Sequence, residues 1–280
     1  MRLFSASLLL SLSFLFAQEN DPPVVPCGQE PLDVHALRQK ADAGDAEAQY
    51  TLGVHYAFGI QRDEQLKKSV YWFRKSAEQG YAEAEYRLSQ AYGSGRGVRN
   101  DTKAALYWLR KAAHDGAVNA QLWLGMMYEQ GRVVKQDKEK ALRWYFRAAN
   151  QGNPDAQFSV GQAYEEGEFI PQDFSAAATW YRKAAEHVPD YGGAGQGRDS
   201  LGLLYLDGRG VPQDYVEAYK WFALAGVAFN MDKAAIRMTQ DQIAEAQRRA
   251  TVWTRAHPVP GSNCLSALAN SPHPEYRLAH

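Results

Sequence analysis

Residues 116–152 read GAVNAQLWLGMMYEQGRVVKQDKEKALRWYFRAANQG. Ala120, Leu124, Gly125 and Tyr128 share one face of a helix, Gly131 opens a loop, and Ala141, Trp144, Tyr145, Ala148 and Ala149 mark the face of a second helix. The unit recurs. Steps of 36 residues from Trp144 reach Trp108, Trp72 and Trp180, and a step of 41 then reaches Trp221. The same steps join Tyr56, Tyr92, Tyr128, Tyr164 and Tyr205, and likewise Gly59, Gly95, Gly131, Gly167 and Gly208. A fixed period of this length marks an array of helical hairpins.

The expected fold is therefore an all-α solenoid, an α-α superhelix of about five helix-turn-helix repeats. The repeats span 45–80, 81–116, 117–152, 153–188 and 198–231, with an N-terminal capping helix at 32–44. C-terminal capping helices at 232–256 are read as Asp232–Met238 and Asp241–Arg255, the second opened by Thr239-x-x-Gln242. Glycine-rich residues 189–197 supply the longer step and are expected to form a mobile loop. An irregular tail covers 257–280.

Within each repeat, helix A places a small or apolar residue at offsets 0, 4, 5 and 8, as in Ala48, Leu52, Gly53 and Tyr56. Helix B carries a stripe such as Ala104, Trp108, Leu109, Ala112 and Ala113. Asp101, Asp137, Asp173 and Asp214 stand where they can cap helix B. Trp72, Trp108, Trp144 and Trp180 are expected in the core, so that Trp144→Ala costs about 3–5 kcal/mol.

Formal net charge is -1, and no dense run of one sign stands out, which disfavours generic binding to nucleic acid or anionic membranes. Arg2, the uncharged run from Leu3 to Phe16, and Ala17 predict a signal peptide over 1–17 followed by an extended leader at 18–31. Periplasmic or secreted localisation follows, with no stable membrane insertion after cleavage. Cys27 and Cys264 flank the array; in an oxidising compartment they either pair or remain as free or intermolecular thiols.

The Leu-Gly-x-x-Tyr of helix A, the Gly-x-Gly-Val loop, the following Asp and the Ala-x-x-x-Trp-Tyr/Phe-x-x-Ala-Ala of helix B resemble the Sel1-like repeat family, a relative of tetratricopeptide repeats. The resemblance covers roughly residues 44–229. Departures are Ile60-Gln61-Arg62 in the first repeat and Ser89 in place of Gly in the second. The resemblance implies a non-catalytic adaptor that binds a protein in an envelope complex. It leaves open a periplasmic immunity protein that neutralises a secreted toxin such as a phospholipase. β-Lactamase-like or peptidoglycan-binding activity, described for cysteine-rich relatives, is a weaker implication, because the paired cysteines of those relatives are missing.

No catalytic, metal or cofactor constellation emerges. The seven histidines lack metal-ligand spacing, and neither Gly-x-Ser-x-Gly nor Ser-x-x-Lys is present. What remains is a surface. If helix A lines the concave side, as the resemblance implies, partner-binding positions are Val54 and Phe58, Arg87 and Gln90, Trp123, Met126 and Gln130, Gln162 and Glu166, and Leu203. Trp123 stands out because its equivalents are Thr51, Arg87, Ser159 and Ser200, so a Trp there is not a need of the repeat.

Overall fold

Aspartates begin the second helix of most hairpins. Asp101 accepts from the backbone N–H groups of Lys103 and Ala104, Asp173 from Ser175 and Ala176, and Asp214 from Val216 and Glu217, while Asp137 accepts from Lys140. Each satisfies donors that a helix start leaves open. Gly95, Gly167 and Gly208 end first helices in the left-handed conformation.

The computed structural model describes residues 33–58, 63–188 and 192–258. The signal peptide, the leader, Cys27, Cys264 and the tail from residue 259 lie outside the described residues. Among those described, thirteen helices and no strands form an all-α solenoid. The cap α1 is Val34–Asp42, and the hairpins follow as α2 (Ala46–Phe58) with α3 (Asp63–Glu78) and α4 (Ala82–Ser94) with α5 (Thr102–His114). Next come α6 (Val118–Gln130) with α7 (Lys138–Asn150), α8 (Pro154–Glu166) with α9 (Phe174–Ala185), and α10 (Gly193–Asp207) with α11 (Tyr215–Ala225). Helices α12 (Ala228–Ala235) and α13 (Gln240–Ala256) close the described chain. The chain divides into two compact units, one ending at Leu124 and the other beginning at Gly125. In the first, α1 packs on α2, α3 on α2 and α4, and α5 on α4. In the second, α7 to α11 pack in sequence, and α11 also packs against α12 and α13.

One contact sets the hairpin spacing. A Cβ on Gly161 would lie 2.5 Å from the Tyr181 ring, and Gly53, Gly125 and Gly202 face Phe73, Tyr145 and Phe222 at 2.5–2.6 Å in the same way. Helix A thus touches an aromatic of helix B with bare backbone. The second repeat has Ser89 at the glycine position and Leu109 at the aromatic one, both buried. A smaller partner leaves room for the extra atoms, which explains that departure.

These aromatics also correct the expected core. Trp72 and Trp221 are buried, but Trp108, Trp144 and Trp180 are only half-buried, whereas the next residue in each repeat, Phe73, Leu109, Tyr145, Tyr181 and Phe222, is buried throughout. Successive helical residues are about 100° apart, so the stripe centres one position later and the tryptophan sits at its edge. There its ring lies under a cation: Arg147 stands 4.6 Å from Trp144 and Lys183 4.0 Å from Trp180. The large truncation cost expected at Trp144 belongs to Tyr145 and Tyr181.

A second recurring contact joins each repeat to the helix before it. Gln49 donates to the Ala41 carbonyl (3.0 Å), Gln121 to Ala113 (3.1 Å) and Gln157 to Ala149 (3.2 Å), satisfying carbonyls at helix ends. In the last repeat Arg198 takes this place and donates to Ala185, His187 and Leu224 carbonyls. The second repeat substitutes Glu85, whose side chain is fully buried against Lys111, itself paired with Asp115 at 2.9 Å. Burial pushes the Glu85 carboxyl up despite Lys111, and its Oε2 has no hydrogen-bond partner.

The glycine-rich insertion is not the loop expected at 189–197. Residues 193–197 are the first turns of α10, and residues 189–191 lie outside the described residues. A Cβ on Gly193 would meet the Pro154 carbonyl at 2.3 Å, and one on Gly197 would meet the Ala184 Cβ at 2.8 Å. These glycines permit close packing of α10 on α8 and α9, so tertiary contact overrides their poor helix propensity. The first closing helix also starts earlier than read, at Ala228, because Gly226 ends α11 and Val227 restarts the chain at once. The Thr239–Gln242 capping box opens α13 as expected. Together these helices cover Leu206, Tyr219 and Phe222 of the last hairpin.

Gly161→Ala is expected to cost about 1–3 kcal/mol through overpacking. Combined with Tyr181→Leu, which reproduces the second repeat's pairing, the loss is expected to fall short of the sum of the two singles by about 1 kcal/mol. Strict additivity in a urea double-mutant cycle would contradict the contact. Because the folded Glu85 carboxyl is raised, its stability contribution is fully present below about pH 4.3, its unfolded value, and is lost as pH rises through the folded value. Glu85→Gln, which restores the amide of the other repeats, is expected to remove that loss and to stabilise the fold at pH 7 by about 1–2 kcal/mol. Parallel urea midpoints for both proteins from pH 4 to 7 would refute this.

Candidate functional site

Within the second unit, α7 and α8 leave a groove of about 210 Å³. Ala141, Leu142 and Tyr145 of α7 and Ser159 and Ala163 of α8 line its walls. Glu129 of α6, Lys138, Gln162, Glu166, and Glu168 and Phe169 in the loop after α8 complete it.

Its origin is local. Phe169 holds the register that Gly97 and Gly210 hold in the second and fifth repeats. There the loop presses backbone to backbone on the start of the preceding second helix: a Cβ on Gly97 would lie 2.3 Å from the Leu66 carbonyl oxygen, and one on Gly210 2.2 Å from the Phe174 carbonyl carbon. Phe169 cannot approach so closely. The residue equivalent to Leu66 and Phe174 is Lys138, and the contact is made by side chains instead. Lys138 Nζ lies 5.3 Å from the Phe169 ring centre and 3.0 Å from a Glu168 carboxylate oxygen. Side chains in place of backbone hold the loop off α7, and the groove opens.

Three carboxylates face one ammonium here. Glu168 pairs with Lys138; the Tyr145 hydroxyl donates to Glu129 at 2.8 Å; Glu166 is exposed and forms no ion pair among the described residues. The hydrogen bond with Glu168 holds the Lys138 ammonium above its ordinary range, against desolvation, with Glu129 and Glu166 adding to the pull. Lys138 needs that help, because as the first residue of α7 it faces the positive end of the helix dipole. Burial, with Glu129 beside it, pushes the Tyr145 phenol far up.

A family model described as Sel1 repeat matches residues 46–81, 82–116, 118–153, 154–187 and 200–226. The chain belongs to the Sel1 repeat family. Sel1 repeat proteins are typically scaffolds for protein interaction. Among solved structures, a protective antigen of uropathogenic Escherichia coli strains with an SLR fold is 31% identical, with TM-score 0.64. The match covers 88% of this chain but 54% of that one, so the chain spans about half its length. A Sel1 repeat protein from Oxalobacter formigenes shares the fold at 24% identity and TM-score 0.58, over 80% of this chain and 100% of that one. No curated protein matches the sequence.

The residues expected on the Sel1 docking face are distributed as follows. Val54 is half-buried on α2, and Phe58 ends that helix with its side chain outside the described residues. Arg87 and Gln90 are half-buried on α4, where Arg87 donates to Gln90 at 3.2 Å. Trp123 and Met126 are half-buried and Gln130 exposed on α6. Leu203 is half-buried on α10 and packs against the cluster of Leu206, Tyr219 and Phe222. The groove brings together Gln162 and Glu166 of the expected set. Sequence reading missed Glu129, Lys138, Tyr145, Glu168 and Phe169, although Phe169 at a position that is glycine in the second and fifth repeats was the available signal.

No described helix is long and apolar enough to cross a membrane, and the described residues include no group of three or more His, Cys, Asp or Glu side chains placed to hold a metal. Tyr145→Phe is expected to cost about 0.5–1.5 kcal/mol, because Glu129 is exposed enough to be hydrated once its donor is gone. A loss near the 3–5 kcal/mol of a large buried truncation, measured by urea unfolding, would show that the hydroxyl bond itself holds the repeat.

Proposed function

We propose that this Sel1 repeat protein is a non-catalytic scaffold of the bacterial cell envelope that binds another protein where the second helix of its third repeat meets the first helix of its fourth. The groove carries this reading. Elsewhere the recurring polar groups are spent on the stack: the aspartates cap helices, and the glutamines hold carbonyls of the preceding helix. Phe169, Glu168 and Lys138 follow no such recurrence, and they border a cleft where the second and fifth repeats bring loop backbone against helix backbone.

Two observations support the envelope address. The first is the leader, with Arg2 before an uncharged run to Phe16. The second is that the similar uropathogenic E. coli protein is a protective antigen, which fits exposure outside the cytoplasm.

The mature chain recovered from envelope fractions is expected to begin at Gln18 by N-terminal sequencing. Immobilised, it is expected to retain an envelope protein that free chain competes away, and Glu166→Lys is expected to reduce retention at least tenfold without changing the melting temperature. Recovery only from cytoplasm with an intact leader, or retention indifferent to Glu166→Lys, would overturn the proposal.

A further inference from the structure

The groove's size and chemistry point to one kind of occupant. At about 210 Å³ it is smaller than the roughly 300–1,000 Å³ of pockets that take cofactors or drug-sized ligands, yet it admits one long side chain. Its walls offer the methyl and methylene groups of Ala141, Leu142 and Ala163, a surface on which an extended aliphatic stem can lie. Its rim has three carboxylates against one ammonium, a net excess of negative charge. Those carboxylates are not arranged for a compact ion, since no described set of three acidic or metal-ligating side chains could hold a metal. The fitting cation is therefore one carried on a chain.

The protein already contains a partial rehearsal of that contact. Lys138 lies against the Phe169 ring and pairs with Glu168, so a cation is held here between an aromatic face and a carboxylate. It satisfies Glu168 and leaves Glu129 and Glu166 without ion pairs among the described residues. Phe169 is 42% exposed, so part of its ring remains open to a second cation. A planar guanidinium suits this arrangement better than an ammonium, because it can stack on an aromatic face while its fork of N–H donors reaches more than one carboxylate.

We propose that the groove between α7 and α8 is the recognition pocket for a single arginine side chain in an extended segment of the partner protein. This deepens the scaffold reading and rests on it. Glu166 and Glu129 receive the guanidinium, Phe169 stacks on it, and the α7 and α8 walls hold its stem. Lys138 limits affinity as the resident competitor.

The test is a synthetic array of octapeptides of balanced composition, probed with the full chain and read by bound fluorescence. Peptides with one arginine are expected among the strongest binders. Replacing that arginine by citrulline, which keeps shape and removes charge, is expected to weaken binding at least tenfold, and replacement by lysine about threefold. Glu166→Gln and Phe169→Gly each alter an exposed side chain and are expected to lower arginine-peptide binding at least fivefold with unchanged melting temperature. Lys138→Gln is expected to raise it, an effect that a merely structural role would not produce. No enrichment for arginine, equal binding of the citrulline peptides, or indifference to Glu166→Gln and Lys138→Gln would overturn the proposal. Binders selected for another residue yet lost with Glu166→Gln would sink the arginine pocket while leaving the scaffold reading intact.

Discussion

The fold depends on bare helical backbone meeting a large ring. Where Gly161 faces Tyr181 and Gly202 faces Phe222, a single added carbon would overlap the aromatic, so the first helix of a hairpin lies as close to the ring of the second as bare backbone allows. Close approach maximises dispersion contacts and leaves no space for water. The many alanines at 0–2% exposure, among them Ala112, Ala148 and Ala184, serve the same end on the second helix. The period of the sequence is the trace of this constraint, because each hairpin must offer a small residue to a large one at the same two positions.

Polar groups divide by whether they share that period. The aspartate caps share it, and so does the tyrosine near the end of helix A: Tyr92 accepts from Arg74 at 2.8 Å and Tyr205 from Arg182 at 2.7 Å. Such groups satisfy what the stack itself leaves unsatisfied. The register of Gln49, Gln121 and Gln157 is an informative intermediate case. Its role persists when Arg198 replaces the amide and reaches three carbonyls, but Glu85 brings an acid into a place built for a donor, and Lys111, shared with Asp115, must then pair with it. A substitution at a periodic position is thus absorbed by its neighbours.

Periodicity made the architecture legible from sequence. The repeat limits, the caps and the Thr239–Gln242 box all follow from local rules that act within one hairpin. Three features were less legible because they depend on what lies across a contact. Counting tryptophans located the stripe but not its centre, which falls on Tyr145 and Tyr181. Gly193 and Gly197 read as a flexible loop because local propensity cannot register that Pro154 and Ala184 need them small. Leu203 reads as free on its own helix, and only its contact with Leu206, Tyr219 and Phe222 half-covers it.

The groove was hidden for a related reason, and that reason gives it weight. Seen alone, Phe169 is an ordinary apolar loop residue. Its meaning comes from Gly97 and Gly210, which show that in the second and fifth repeats this register seals the loop onto the start of the preceding second helix. A hairpin stack gains by sealing that seam, since each closed contact removes apolar surface from water. Leaving it open exposes part of a phenylalanine and places a lysine at the unfavourable end of a helix dipole, two local costs that the Lys138–Glu168 pair only partly offsets. Local conflicts of this kind, in a sequence otherwise consistent from propensity to packing, concentrate at sites of function. The seam between α7 and α8 is where this repeat array gives up closure for an acidic, ring-lined slot, and a bound cation is the ligand that would recover what closure forgoes.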